Sequence, residues 1–380
     1  MKICMISESF LPVTGGLQFL LKYLTEEMAK NSEIFLLSYS DGGSYLEKNS
    51  AGFPKFVRLK QKNRMVGLLE ILHKIRKISP DIVHVHSAET NAFQIAILKL
   101  FKLIRKPLVV TSHGSDIMTY PEVGYGSRLK PFYSKIVRLI LKVCDRHVLV
   151  GKTMRPFALD SGSREEKMIV INNGLPLAKI NVSEEKTRAT LEKFGIHESD
   201  IVLLSLSGLR PLKGIDILVR SFRVILEELP SAKLLLACSS GGYEQEIRKM
   251  VRDMQLEDKI RFIGFVTDEE EKAALVRRCD IFCKPSRLEA CSVAILEAMR
   301  EGKVVVASVP GGEDIIENNV DGLLVPVEDS DAYAAAVISV LKNDELRKQI
   351  ESNARRNIEK FDISKIALQY INLYRQLMKK

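Results

Sequence analysis

The sequence predicts an α/β protein built from two doubly wound parallel-sheet domains. Three observations predict it. Short, apolar strand-like runs alternate with longer amphipathic runs, the pattern of parallel sheets covered by helices on both faces. The alternation breaks at 178–199, a charged, Ser/Thr-rich stretch with no sustained sheet pattern, which suits a domain boundary. A chain of 380 residues is also long for one hydrophobic core.

The run 2–9 opens the chain as a strand, and a Leu-Pro-Val-Thr-Gly-Gly turn follows. Residues 17–30 then set Leu17, Leu20, Leu21, Leu24 and Met28 on one helical face. Gly15-Gly16 lets the backbone approach a ligand at a helix N-terminus, although a lone Gly-Gly reads equally as a tight turn. The third glycine of a dinucleotide fingerprint is missing. Further strands are expected at 34–39, 81–87, 107–114 and 146–151, with helices at 68–78, 90–103 and 129–143. Ligands of such sheets bind at the carboxyl ends of strands. His84, His86, His113, Gly114 and Asp116 stand at such ends. His84, inside a strand, reads as a satisfied core residue; His113, followed by glycine at a strand end, reads as functional.

Gly151-Lys152-Thr153 imitates the end of a P-loop. The glycine required five positions before Gly151 is replaced by Arg146, so the phosphate cradle is not encoded and an ATPase is excluded. The run 128–143 is basic and amphipathic, with Ile136, Leu139, Ile140 and Val143 beside Arg128, Lys130, Lys135, Arg138 and Lys142. Such a helix lies on an anionic membrane or packs on a core with a basic outer face, and the second reading is preferred.

A strand and turn at 168–176 precede the break. Beyond it, strands are expected at 201–208, 233–238, 260–266, 280–286 and 303–308, helices at 215–229 and 244–254, and a final amphipathic helix at 363–378. At the first joint of this series, Arg210 and Lys213 follow a strand end and precede a helix near Gly214. Two cations there oppose the helix dipole unless an anion sits between them, which points to a diphosphate. Arg suits bidentate contact with oxygen, and Lys acts as a point charge.

The densest signal is 284–312. Glu289 lies in a loop-like run and Glu297 in a helix-forming run at 294–299, both expected near the helix N-terminus; a strand-like run and a Gly-Gly turn follow. A helix N-terminus presents unpaired N–H groups and a positive dipole end, and so favours a phosphate-bearing ligand.

Composition narrows the class. With 46% hydrophobic and 28% charged residues, the chain reads as soluble and globular. No apolar run reaches the roughly 20 residues that span a bilayer, and the N-terminus shows no signal-peptide pattern. The six cysteines have neither metal-like nor disulfide-like spacing, so reduced thiols in a cytoplasmic protein are expected. Charge is uneven: residues 1–170 hold 26 Lys and Arg against 15 Asp and Glu, and 171–380 hold 31 against 33. A basic first half suits an anionic membrane surface, a nucleic acid, an acidic substrate, or simply a solvated face.

Phe-Leu-Pro-Val-Thr-Gly-Gly near the start, His-Gly-Ser-Asp at 113–116, Asn-Asn-Gly-Leu at 172–175, the joint at 208–216 and above all the segment 285–329 resemble, in order and spacing, the retaining glycosyltransferases of family 4. The resemblance covers essentially the whole chain. It implies the GT-B fold: two Rossmann-like domains facing across a cleft, with the last helix crossing back to the first domain. The implied division is 1–176 plus 363–380 for the acceptor and 177–362 for a nucleotide sugar. It further implies that Glu289 lies against the donor sugar, that Glu297 accepts from the ribose hydroxyls, and that Arg210 and Lys213 neutralise the leaving diphosphate without a metal or other cofactor. Backbone N–H groups around Ser292, Val293 and Ala294 would cap the phosphates. Gly16 would approach the diphosphate or sugar, His113 would reach the donor sugar, and Asn173 would stand in a turn near the hinge. The family's usual Gly-Phe-Gly after the first acid is here Ala290-Cys291-Ser292, so the sugar does not carry over.

The implied activity is transfer from a UDP-, GDP- or ADP-linked sugar to a glycan or lipid-linked acceptor in polysaccharide, lipopolysaccharide or glycolipid synthesis, at or near the inner face of a membrane. A sugar phosphorylase, a sucrose-type transferase on a soluble acceptor, and a non-catalytic nucleotide-sugar binder are the competing readings. Nucleic-acid binding rests on charge alone and lacks interleaved aromatics, Trp being absent.

Overall fold

The computed structural model describes residues 1–11, 15–40, 54–60, 64–239 and 242–379. The 12–14 part of the first turn lies outside the described residues. The chain divides into two compact units, Met1–Pro176 with Asp362–Lys380, and Leu177–Phe361.

In the first unit, β1 (Lys2–Ser7), β2 (Glu33–Ser38), β3 (Lys55–Arg58), β4 (Ile82–His86), β5 (Leu108–Ser112), β6 (Arg146–Leu149) and β7 (Met168–Val170) form one parallel sheet in the order β3-β2-β1-β4-β5-β6-β7. β4 and β5 are buried along their whole length, which explains their unbroken apolar runs. The final helix, Ile363–Met378, is capped by Asp362. It buries Ile366, Tyr370, Leu373 and Tyr374 in the same core as Ile3, Met5, Leu20 and Leu24, so it belongs to the first unit although it ends the chain.

In the second unit, β8 (Ile201–Gly208), β9 (Ala232–Ser239), β10 (Ile260–Phe262), β11 (Ile281–Lys284), β12 (Val304–Val309) and β13 (Leu323–Pro326) run parallel in the order β10-β9-β8-β11-β12-β13. Its core gathers Leu203, Phe222, Leu234, Ile281, Val304 and Val337. Both sheets share the doubly wound Rossmann order. In each, the order reverses beside the first strand, and a crevice opens there at the carboxyl ends.

Several elements differ from expectation for local reasons. The helix expected over 129–143 is Tyr133–Val143. Pro131 follows Lys130, which is extended as a residue before proline prefers, and Phe132 has φ 66°. The helix expected to reach 103 stops at Leu100, with Lys102 left-handed beyond it. The strand expected over 260–266 ends at Phe262, before Gly264 at φ 75°. The break at 178–199 contains the helix Glu184–Lys193, whose N-cap Ser183 accepts from the Lys186 N–H.

Candidate active site

In the second unit, two loops leave the sheet on either side of its order reversal. After β8 the chain makes a 3₁₀ turn, Pro211–Lys213, and Gly214 at φ 63° starts the helix Ile215–Glu228. A Cβ on Gly214 would lie 1.9 Å from the Pro285 carbonyl oxygen, so only glycine lets this turn press against the loop after β11.

That approach brings three charges together. The Lys213 ammonium lies 2.6 Å from Glu289 Oε2, and the Lys284 ammonium lies 3.3 Å from the same oxygen. Ser286 donates to it at 3.4 Å. Burial alone would raise the Glu289 carboxyl, but the two ammonium groups outweigh it and hold it at about 2. Lys284 is 4% exposed; burial pushes its ammonium below the ordinary value, and Glu289 partly restores it. One carboxylate and two ammoniums leave an excess positive charge among largely buried side chains, where a further anion is favoured.

The loop is held rigidly. The Arg287 guanidinium bonds both Asp216 oxygens, at 2.9 and 2.8 Å, as well as Glu328 and the Pro211 carbonyl. The Arg287 N–H bonds the Leu212 carbonyl at 2.8 Å. One side chain thus ties the Glu289 loop to the Lys213 turn. The loop ends at Ser292, the N-cap of the helix Val293–Arg300, which has no side-chain cap and no acid in its first turn. The N–H groups at Val293 and Ala294 have no intrahelical acceptor.

Several sequence expectations change here. Arg210 is exposed and has no side-chain partner among the described residues, while Lys284, which the sequence reading did not single out, joins Lys213 at Glu289. Glu297 does not stand at the helix start. It is the fifth residue of Val293–Arg300, a full turn past the N-terminus, where it pairs with Lys272 at 2.6 Å.

In the first unit, His113 and His86 meet at the ends of β5 and β4, with His113 Nε2 3.0 Å from His86 Nδ1. Burial holds His113 neutral, at about 3. Asp116 is fully buried and accepts from the His113, Gly114 and Ala88 N–H groups, so it fastens the two loops to each other. His84 is a core residue, satisfied by Thr111 at 2.7 Å and Tyr374 at 2.6 Å. Gly16 is the exposed first residue of the helix Gly16–Ala29. Asn173 is 7% exposed in the turn after β7.

Against Leu17, the residue after Gly16, lies a cavity of about 540 Å³, lined by residues at or just past the ends of β1, β2, β4 and β5, among them Glu8, His86, Glu89 and Asn91. The sequence reading missed Glu89 and Asn91 in this cavity, as it missed Lys284, Arg287 and Asp216 in the second unit. For Glu89 and Asn91 the available signal was a polar residue just past a buried strand. Among the described residues, no group of three or more His, Cys, Asp or Glu side chains is arranged to hold a metal. All six cysteines are buried and unbridged.

Two family models match in succession: Glycosyltransferase Family 4 over residues 14–179 and Glycosyl transferases group 1 over 186–357. The chain is 29% identical over 296 residues to a phosphatidyl-myo-inositol mannosyltransferase of Mycolicibacterium smegmatis, covering 77% of this chain and 70% of that protein. It is 27% identical over 301 residues to an N-acetyl-alpha-D-glucosaminyl L-malate synthase of Bacillus anthracis, covering 79% and 75%. The Anabaena HepE structure in complex with UDP-glucose superposes with a TM-score of 0.83 at 21% identity, covering 99% of this chain and all of that one. The doubly wound sheets, the order of the motifs and these matches agree: the chain belongs to the family 4 glycosyltransferases of GT-B fold.

Proposed function

We propose that the protein transfers a sugar from a nucleotide-sugar donor to a glycan or lipid-linked acceptor with retention at the anomeric carbon. The observation that carries this is the Lys213–Glu289–Lys284 cluster, whose Glu289 stands three residues before Ser292, the N-cap of a helix with no side-chain cap. It supplies positive charge and free N–H groups for a leaving diphosphate. Two ammonium groups there provide the charge that a divalent cation provides elsewhere, so the reaction needs no metal. Glu297 is assigned to the ribose, Ser292, Val293 and Ala294 to the phosphates, and Gly16, His113 and Asn173 to the donor side of the first unit. Arg210, exposed and free of side-chain partners among the described residues, remains available to the diphosphate.

Retention follows one of two routes. A carboxylate attacks to form a glycosyl–enzyme intermediate, or the leaving phosphate takes the acceptor proton on the same face. The second is favoured here. A carboxyl held at about 2 by two ammonium groups is a weak nucleophile and a weak base, suited to holding a sugar hydroxyl. A glycosyl–Glu289 adduct trapped and seen by mass spectrometry would defeat this route.

The relatives' names include phosphatidyl-myo-inositol and L-malate, so both lipid-linked and soluble acceptors stand as readings. A membrane-facing role is supported by Leu129 and Phe132, 45% and 75% exposed, beside exposed Lys130, Lys135 and Arg138. No helix among the described residues is long and apolar enough to cross a membrane. Phosphate-dependent release of a sugar phosphate would instead favour a phosphorylase.

The test is a thermal-shift panel of UDP-, GDP- and ADP-sugars. A donor that binds the folded state raises the melting temperature, by an amount that grows with the logarithm of its affinity, and one base is expected to stand out. No shift with any nucleotide sugar at millimolar concentration would remove the donor assignment.

A further inference from the structure

We propose that the cavity beside Leu17 takes the acceptor as an uncharged polyhydroxyl ring, and that it rejects an acceptor bearing a phosphate or carboxylate at that point. The inference rests on the transferase reading for calling the occupant an acceptor, but the chemistry of the cavity stands by itself.

The cavity lies where the first sheet reverses its strand order, at the carboxyl ends of β1 and β4, the place where such sheets bind ligands. Its volume of about 540 Å³ is in the range of small-ligand sites. Two features set its chemistry. The first is unspent hydrogen-bonding capacity. Asn91 is 3% exposed and leaves both side-chain amide atoms without a partner among the described residues; His86, also 3% exposed, leaves Nε2 unpartnered. Buried polar groups are normally satisfied, and an amide offering a donor and an acceptor together matches neighbouring hydroxyls of a sugar ring.

The second feature is charge. Among the described residues, the lining carries two carboxylates, Glu8 and Glu89, and no Lys or Arg. Ser127 holds Glu89 from behind, donating to Oε1 at 2.9 Å. Burial pushes the Glu89 carboxyl up, and the nearby Asp116 and Glu8 charges push it further. An anion entering here meets like charge and no counter-charge. A sugar hydroxyl donates to the carboxylates and accepts from Asn91. Among the described residues, the basic character of 1–170 therefore lies outside this cavity.

The test uses the full chain and saturation-transfer NMR, with a panel of neutral hexoses and myo-inositol set against their monophosphates. At least one neutral polyol should bind, and its phosphate at least tenfold more weakly. Glu89→Gln and Asn91→Leu should each weaken the polyol about tenfold. Both variants should keep the parent's affinity for whichever of UDP, GDP or ADP it binds, which also reports correct folding. Glu89→Gln should narrow the gap between polyol and phosphate. The proposal is overturned if the phosphates bind as well as the polyols, if no neutral polyol binds, or if both variants bind polyol like the parent. A chain that binds nucleotide but no polyol loses this proposal and keeps the donor assignment. One that binds polyol but no nucleotide does the reverse.

Discussion

Glu289→Gln preserves the shape of the side chain and removes the charge that holds Lys213 and Lys284. The carboxyl stands at about 2 against an ordinary 4.5, which favours its ionised form by ~3 kcal/mol. The folded value lies below the unfolded one. The stabilisation is therefore complete above pH ~4.5 and is lost as the pH falls toward about 2. For a unit the size of Leu177–Phe361, ~3 kcal/mol corresponds to a melting shift of roughly 6–12 °C. Calorimetric melts of parent and variant at pH 7 and pH 3 read this directly. The variant should melt lower at pH 7, and the gap should shrink to under half at pH 3. Nucleotide binding should survive, because Lys213 is released from its intramolecular carboxylate, while sugar transfer should fall at least 100-fold. A variant melting within 2 °C of the parent at pH 7, or a gap unchanged at pH 3, would refute the electrostatic reasoning.

Gly214→Ala places a methyl group against the Pro285 carbonyl in a left-handed backbone. It should cost ~2 kcal/mol or more in calorimetry and weaken nucleotide binding over tenfold. Arg287→Met leaves the buried Asp216 carboxylate with Arg220 as its remaining cation and should destabilise by about 2 kcal/mol in urea unfolding; a loss under 1 kcal/mol would mean that the tie between the two loops is not structural. If the protein works at a membrane surface, Phe132→Ser with Leu129→Ser should abolish flotation with anionic liposomes. Flotation of the parent should weaken in salt, and indifference to both would remove the membrane role.

Much of this was legible in the sequence because parallel strands are buried on both faces and announce themselves as apolar runs. β8 was legible to the residue, and the final helix was readable from its amphipathic spacing. What escaped depended on tertiary contact. Lys284 closes an apolar strand, and nothing local says that its ammonium turns toward Glu289 rather than to solvent. Arg287 looks like a loop cation until Asp216 and Glu328 are brought to it from distant parts of the chain. Arg210 and Lys213 flank one 3₁₀ turn, and of the two it is the Lys213 ammonium that reaches Glu289. In the first unit, Glu89 and Asn91 follow a strand that was recognised, but a cavity assembled from four strand ends has no signature along the chain.

The central claim is that the Lys213–Glu289–Lys284 cluster carries transfer from a nucleotide sugar. It is tested most directly by the release of nucleoside diphosphate from a panel of donors, with water or added sugar as acceptor and chelator present. The intact chain should consume one donor despite the chelator, and Lys213→Ala should slow this at least 100-fold, a loss of ~2.7 kcal/mol of transition-state stabilisation. Consumption of no donor, or a Lys213→Ala variant as fast as the parent, would contradict the account.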